Sequence, residues 1–177
     1  MTIKKYVRTI LAVTILCCLP FSAISATSVK DVWVSMPDSI APYLNQKLRI
    51  ECADLYEMGA KAEVQNLLKR TSKIDTLSAN YLQAQLSDAC QLQLCILPCT
   101  EGDSLICMIK TFAGPEKESS VQMYSMQWQL LQTMSFSFDS FVQKPDTMSA
   151  QRYEELLASV DHYFFEAKLD PQTQCLF

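Results

Sequence analysis

The chain has 177 residues, only three glycines, a single histidine and a formal net charge of −4. Phosphate-binding loops need clustered glycines, and the three glycines here are scattered, which excludes dinucleotide turns and P-loops. A single histidine excludes HExxH and multi-histidine metal sites, and no GxSxG sequence is present.

The first 26 residues have the pattern of a secretory signal peptide. Three basic residues within the first eight precede an apolar run over 10–19, and small residues then lead to a cleavage expected after Ala26. The run is too short for a stable membrane anchor. Cys18 is a poor lipoprotein acceptor because no small residue precedes it. We therefore predict a protein exported to the periplasm or cell envelope, with a signal over 1–26 and one domain over 27–177.

The mature chain is acidic. It keeps 12 basic and 19 acidic residues, a net charge of −7. Nucleic acids and anionic membranes attract basic surfaces, so neither is an expected partner. No apolar run after the signal is long enough to cross a membrane, and about 150 residues suit one domain.

Two helices are predicted at the start of the mature chain. Ser28 caps a short helix with apolar residues at helical spacing, and Pro37 ends it. Asn45 caps a longer helix, and Gly59 provides its stop signal.

The turn "MPDSIAPYL" between these helices carries the candidate ligand-binding residues. They are Asp38, Ser39 and Tyr43, three polar groups in a proline-framed turn. Helix capping is the default explanation of these groups, and ligand binding is the alternative to it.

The middle of the chain predicts a sheet. Apolar and polar residues alternate over 81–86, 90–97, 105–110 and 121–124, and short polar loops separate these runs, as in an antiparallel meander. A further helix is predicted from Ser149, followed by a strand over 162–169. The sequence therefore predicts an α+β fold, with N-terminal helices and a C-terminal helix packed on an antiparallel β-meander of about four to six strands.

The strand registers can be predicted from the apolar pattern. Pairing Ala84 with Leu92, Ile96 with Cys107, and Ile109 with Val121 keeps one face apolar across four strands. The residues expected on the second face are Tyr81, Leu97, Ile106, Met108 and Tyr124. That face is expected to lie under a helix or, where it is exposed, to contact a partner.

Four cysteines fall within 90–107, with the spacing C-x4-C-x3-C-x7-C. The C-x2-C knuckle of structural zinc sites is missing, and the mature chain has no C-x-x-C redox motif. Because the predicted registers place Cys95 and Cys107 on opposite faces, this pair is not expected to form a disulfide. Cys90 and Cys107 are expected about 20 Å apart, which is also too far.

The cysteines are instead predicted to be small core residues. This interpretation covers Cys52, Cys90 and Cys107. Cys99 lies near a loop, where a bridge to Cys175 stays open.

Two other groups of residues are candidate chemical sites. His162, beside Asp161, could serve a cysteine nucleophile, but a surface or capping role is the better explanation at this junction. Glu101 and Asp103 could bind a cation, but a solvated hairpin loop explains them better.

Five stretches of the chain carry a resemblance to a known family: "MPDSIAPYLNQKLRIECADL", "MGAKAEVQN", "LSANYLQAQLSDACQLQLCILP", "ICMIKTFAGPEKESSVQMYSMQWQLL" and "KPDTMSAQRYEELL". In this order they resemble domain-of-unknown-function family 3256, a secreted family of gut-type Gram-negative anaerobes. The resemblance spans most of the mature chain and implies export and one compact domain. It implies no activity and no site residue.

The function expected from the sequence is a non-catalytic binding or interaction module of the periplasm or envelope. Its partner would be a protein or another envelope component, and no catalytic residue, metal or cofactor is predicted. The alternative is a small periplasmic hydrolase or ligand-binding enzyme that uses carboxylates or a Cys–His pair. A pocket joining His162 to Asp38, Ser39 and Tyr43 would favour this alternative.

Overall fold

The computed structural model describes residues 27–99, 103–138, 141–160 and 162–171. Several sequence predictions lie outside these ranges: the signal peptide over 1–26, Cys18, Glu101, Asp161 and Cys175. Within the described ranges, the chain forms three helices and one seven-stranded sheet.

The helices are α1 (Val29–Ser35), α2 (Gln46–Glu57) and α3 (Ala150–Ala158). The strands are β1 (Glu63–Gln65), β2 (Thr71–Leu77), β3 (Tyr81–Ser87), β4 (Cys90–Pro98), β5 (Ser104–Ala113), β6 (Lys117–Ser125) and β7 (Leu130–Met134). They lie in chain order, each antiparallel to the next. The predicted α+β fold with helices flanking a β-meander is confirmed, with seven strands where four to six were expected.

The helices begin at the caps that the sequence predicts. The Ser28 side chain accepts a hydrogen bond from the Asp31 amide in a capping box, and the Asn45 side chain accepts one from the Leu48 amide. Ser149 caps α3 in the same way. These bonds satisfy amides that a helix leaves free at its N-terminus.

Helices α1 and α2 cover one face of the sheet, which we call the helix face. Trp33 from α1 and Leu82 and Leu94 from the sheet are fully buried in its core. Burying side chains of this size contributes about 1.5–3 kcal/mol each. This face therefore contains a conventional apolar core.

An extended segment, residues 162–171, covers the opposite face. We call this segment the strap and the face beneath it the strap face. Ala167 and Leu169 of the strap are buried in a cluster that includes Cys95 and Cys107. The predicted strand over 162–169 is wrong, because the segment crosses the strands of the sheet rather than extending it at an edge.

The register between β4 and β5 differs from the prediction by one residue. Ile96 pairs with Ile106, not with Cys107, and Cys95 pairs with Cys107. A shift of one residue sends every β5 side chain to the other face. The predicted pairs Ala84–Leu92 and Ile109–Val121 are confirmed. Strand β6 therefore changes face together with β5.

The faces of the two strands are corrected accordingly. Ile106, Met108 and Tyr124 belong to the helix-face core, whereas Cys107 belongs to the strap face. The cause is that β5 is apolar at consecutive positions over 105–109, so its alternation does not define a register. None of the described helices is long and apolar enough to cross a membrane.

Candidate binding groove

A groove lies where the strap meets the turn between β5 and β6. Its volume is about 750 Å³, within the range of about 300–1,000 Å³ that ligand pockets usually have. Its walls are formed by residues 113–117 and by His162, Tyr163, Phe164 and Glu166. We call it the strap groove.

The wall from the β5–β6 turn depends on a glycine. A Cβ atom added to Gly114 would lie 3.2 Å from the carbonyl oxygen of Glu116, so a larger residue would force the turn to shift. The proline that follows, Pro115, restricts its own φ. This wall is therefore set by local backbone constraints and does not depend on a ligand.

Aromatic side chains form the opposite wall. Phe164 is 58% exposed and Tyr163 is 44% exposed. The Tyr163 hydroxyl donates a hydrogen bond of 2.7 Å to the carbonyl oxygen of Phe136, and its ring centroid lies 5.7 Å from that of Phe138. Tyr163 is thus held in place while an apolar ring beside it stays open to solvent.

The Lys117–Glu166 ion pair lines the groove, and Lys168 lies beside it. The Glu166 carboxylate is 2.8 Å from the Lys117 ammonium and 3.3 Å from the Lys168 ammonium. The hydrogen bond from Lys117 is the main cause that lowers the pKa of Glu166, with Lys168 adding to it. Glu166 therefore stays ionised at neutral pH, which suits an anchoring charge and not a general acid.

A second, smaller cavity of about 200 Å³ adjoins the groove. It shares Ala113, Lys117 and Glu166 with the strap groove. Its other walls are Gln85, Cys90, Gln91 and Thr111. The Lys117–Glu166 ion pair thus lies on the boundary between two concave spaces, where a ligand group could displace it.

Polar side chains on the sheet hold the strap in place. The Gln93 side chain accepts a hydrogen bond of 3.1 Å from the Leu169 amide, and the Ser119 hydroxyl accepts one of 2.9 Å from the Ala167 amide. The Ser119 amide also donates to the carbonyl oxygen of Phe165. An extended segment cannot bond its own backbone, so the sheet must supply these partners.

Gln93 belongs to a small buried network. Its side-chain nitrogen donates to the Tyr81 hydroxyl at 3.0 Å, and this hydroxyl donates to the Gln83 side-chain oxygen at 2.9 Å. Among the described residues, no buried side-chain nitrogen or oxygen is left without a partner. The strap is thus attached to an already ordered set of side chains.

Asp38, one of the three candidate ligand-binding residues, serves a structural contact. Its carboxylate accepts hydrogen bonds from the Arg49 guanidinium at 2.8 Å and from the Gln46 amide at 3.0 Å. Arg49 is almost completely buried and also donates to the carbonyl oxygens of Trp33, Met36 and Leu44. This contact joins α1, α2 and the turn between them.

The other two candidates lie on the same side of the molecule. Ser39 is exposed, and Tyr43 is half-buried against the helix-face core. Burial, followed by the nearby Cys90 thiol, raises the pKa of Tyr43 to about 12. His162 instead lines the strap groove with Glu116 and Glu166. Among the described residues, neither the strap groove nor the smaller cavity beside it joins His162 to the three candidates, and ligand binding at those three stays a prediction.

The cysteines are distributed over both faces. Cys52 and Cys90 are buried in the helix-face core, where the Cys52 thiol donates to the Ala62 carbonyl oxygen at 3.1 Å. Cys95 and Cys107 are buried in the strap-face cluster, and Cys99 is exposed. In the part of the chain that the structure describes, no three His, Cys, Asp or Glu side chains come together as metal ligands.

A family of proteins of unknown function, DUF3256, matches the chain over residues 21–177. The chain belongs to this family. No curated protein matches it.

This DUF3256 chain resembles a solved domain of an uncharacterised protein from Porphyromonas gingivalis W83. The TM-score is 0.62 at 21% sequence identity, and the match covers 86% of this chain and 79% of that chain. At this level of identity the similarity supports the fold and says nothing about a site.

Three residues that organise the helix face, hold the strap or line the groove of this DUF3256 chain were not predicted from the sequence, although each has a signal. Arg49 lies three residues before Cys52 and four before Ala53, within an apolar helical stripe. Gln93 interrupts the apolar centre of β4. Phe164 and Phe165 are consecutive in an extended segment, so only one of them can point to the sheet. In the structure Phe165 packs against the cluster and Phe164 is exposed.

Proposed function

We propose that this chain is an exported module of the periplasm or cell envelope that binds a protein or another envelope component through the strap groove. The role is binding, with no reaction catalysed by the chain itself. The observation that carries the proposal is the groove itself, with an exposed phenylalanine and a tethered tyrosine on one wall and the Lys117–Glu166 ion pair among its lining residues.

The composition of the groove matches that of an interaction site. Aromatic side chains dominate the binding energy of many interfaces, because each buries a large area at a low cost in conformational entropy. Phe164 offers such an anchor. Lys117 and Glu166 present both signs of charge beside it, and charged groups at an interface chiefly orient the partner.

The proposed export rests on the N-terminal sequence. A basic start, a short apolar run and small residues before position 27 are the features of a cleavable secretory signal peptide. If export is correct, the protein recovered from its native cells should have a mass that begins at Thr27. A protein that retains residues 1–26 would contradict this part of the proposal.

The groove can be tested with a photo-crosslinking amino acid at position 164. We expect this protein, produced in its native cells and irradiated, to form a crosslink to one defined partner. The matched control carries the same amino acid at position 68. Leu68 is 60% exposed in the β1–β2 turn, outside the strap groove, so it should give no such product.

The Phe164→Ala variant measures how much Phe164 contributes to the binding affinity. Loss of a central aromatic anchor typically costs at least about 2 kcal/mol of binding free energy, so affinity for the crosslinked partner should fall at least about tenfold. Equal crosslinking from positions 164 and 68, or unchanged affinity of the alanine variant, would remove the groove from the proposed function.

A further inference from the structure

Two cysteines on neighbouring strands lie directly opposite each other beneath the strap. Cys95 of β4 pairs with Cys107 of β5, and both side chains belong to the strap-face cluster. Both residues are at most 2% exposed. Cys95 also contributes to the raised pKa of Cys107, which places the two thiols close enough to interact.

The hydrogen-bonding pattern defines the separation of the two backbones. The Cys99 amide donates to the Asp103 carbonyl oxygen, and the Ala113 amide donates to the Ala89 carbonyl oxygen. Hydrogen-bonded pairs recur at every second residue of an antiparallel ladder, so Cys95 and Cys107 form such a pair. Their Cα atoms are then about 5.5 Å apart, within the range that a disulfide requires. The Cβ atoms across such a pair are also about 5.5 Å apart, so closing the bond needs the two strands to move together by about 1 Å.

The strap controls access to this pair. Ala167 and Leu169 pack in the same cluster as the two thiols, and both are buried. An oxidant dissolved in water cannot reach a sulfur atom until this segment moves. The strap is attached by a few hydrogen bonds to Gln93 and Ser119 and by exposed ion pairs, and it can therefore open more easily than the sheet.

We propose that Cys95 and Cys107 form a dithiol–disulfide site that the strap covers. The oxidant is a small-molecule or protein disulfide. The thiolate of one cysteine attacks this disulfide and releases one donor thiol, and the second cysteine then displaces the other donor sulfur. One S–S bond forms between Cys95 and Cys107 and one donor S–S bond breaks. The donor gains two electrons and two protons and leaves as two thiols.

The environment makes this exchange depend on opening of the strap. Burial raises the pKa of Cys95, and burial together with Cys95 raises the pKa of Cys107 to about 11. A thiol with so high a pKa is mostly protonated at neutral pH and attacks a disulfide slowly. Exposure to water would return each pKa towards its ordinary value, so the state of the strap sets the rate of oxidation.

The site can be tested on the full chain in its folded, reduced form. After incubation with oxidised glutathione at neutral pH, the protein is quenched in acid, alkylated and digested for mass spectrometry. We expect a peptide pair crosslinked through Cys95 and Cys107, with a mass lower by two hydrogens than the two reduced peptides. Because Cys95 and Cys99 are only four residues apart and stay on one peptide after cleavage at Glu101, fragment spectra of the crosslinked pair are used to separate this product from any bridge made by Cys99.

Two variants distinguish a site beneath the strap from general reactivity. Gln93→Ala removes the hydrogen bond to the Leu169 amide and should speed oxidation about fivefold, the factor that one ordinary hydrogen bond represents. Gln65→Ala, an exposed glutamine on β1, is the matched control and should leave the rate unchanged. In Cys107→Ser, Cys95 should stop at the mixed disulfide with glutathione.

Three results would overturn the proposal. Both thiols could stay reduced even in Gln93→Ala, the crosslink could form only after denaturation, or Gln93→Ala could oxidise at the rate of Gln65→Ala. The first two would show that the folded sheet forbids the bond. The third would show that the strap does not control it.

Discussion

The two faces of this sheet are covered by different kinds of structure. On the helix face, two capped helices surround fully buried side chains such as Trp33 and Leu94. On the strap face, one extended segment buries only Ala167 and Leu169 deeply and leaves Phe164 exposed. Surfaces held by few buried contacts open with a smaller free energy than a core does. The helix face therefore maintains the fold, and the strap face is the one to which we assign the proposed binding and disulfide exchange.

The helices and the strap also differ in where their backbone amides and carbonyls find hydrogen-bond partners. A helix bonds its own amides and carbonyls, so the sheet beneath it can be purely apolar. The strap has no such internal bonds and takes partners from Gln93 and Ser119. The polar residues Gln93 and Ser119, in the middle of strands, are thus explained by the strap that crosses over them. Thr111, whose hydroxyl is 2.9 Å from that of Ser119, belongs to the same arrangement.

The strongest way to break the helix face is to remove Arg49. In Arg49→Met, the Asp38 carboxylate loses its cation, and the carbonyl oxygens of Trp33 and Met36 lose their donors. The Asp38 side chain is 56% exposed, so water can replace its cation, but each buried carbonyl oxygen left without a donor costs about 1–3 kcal/mol, which gives about 2–6 kcal/mol for these two. We expect a loss of this size in the free energy of unfolding, measured by urea titration at neutral pH.

A neighbouring residue on the same helix provides the control for this experiment. Lys47 is exposed on α2, so Lys47→Met should change the free energy of unfolding by no more than about 0.5 kcal/mol. If Arg49→Met lost less than about 1 kcal/mol, methionine packing would compensate for the whole contact, and Arg49 would not organise this face.

A matched pair of leucine substitutions compares the two faces directly. Leu94→Ala creates a cavity in the helix-face core and should cost about 3 kcal/mol of unfolding free energy. Leu169→Ala should cost about 1 kcal/mol, because the strap can detach before the sheet unfolds. Amide exchange should show faster exchange at Ala167 in the second variant, with the β4 amides unchanged. Equal losses in both variants would mean that strap and sheet unfold as one unit.

The sequence predicted much of the fold because many of its signals are local. The caps Ser28 and Asn45, the alternation of β3 and β4, and the pairs Ala84–Leu92 and Ile109–Val121 depend on local residues. Each of these signals is visible within a few residues of the feature it determines.

The candidate site could not be predicted in the same way. The β4–β5 register depends on a loop whose length is not fixed by an apolar pattern, because β5 is apolar on both faces. The error separated Cys95 from Cys107, which the structure pairs. The strap groove joins Lys117 to Glu166 across 49 positions of sequence, and no local pattern indicates that contact.

The smallest expected effect concerns pH and the strap. Lys117 and Lys168 lower the pKa of Glu166 in the docked strap below its ordinary value of 4.5. The ionised carboxylate therefore favours docking above this value, and the contribution is lost as the pH falls through the lowered pKa. Exposed ion pairs are worth at most about 1 kcal/mol, so the effect should be visible in the strap and not in global unfolding.

The measurement is the exchange protection factor of the Leu169 amide, corrected for intrinsic exchange, between about pH 6 and about pH 3. In the wild-type protein, protection should fall as the solution is acidified below the ordinary pKa of Glu166. Glu166→Gln should start from the lower protection and lose this pH dependence. Glu63→Gln removes an ion pair with Lys61 at the other end of the sheet and should behave as wild type. If Glu166→Gln kept the wild-type pH dependence, another group would control docking of the strap, and the Lys117–Glu166 pair would be a surface contact without effect on the groove.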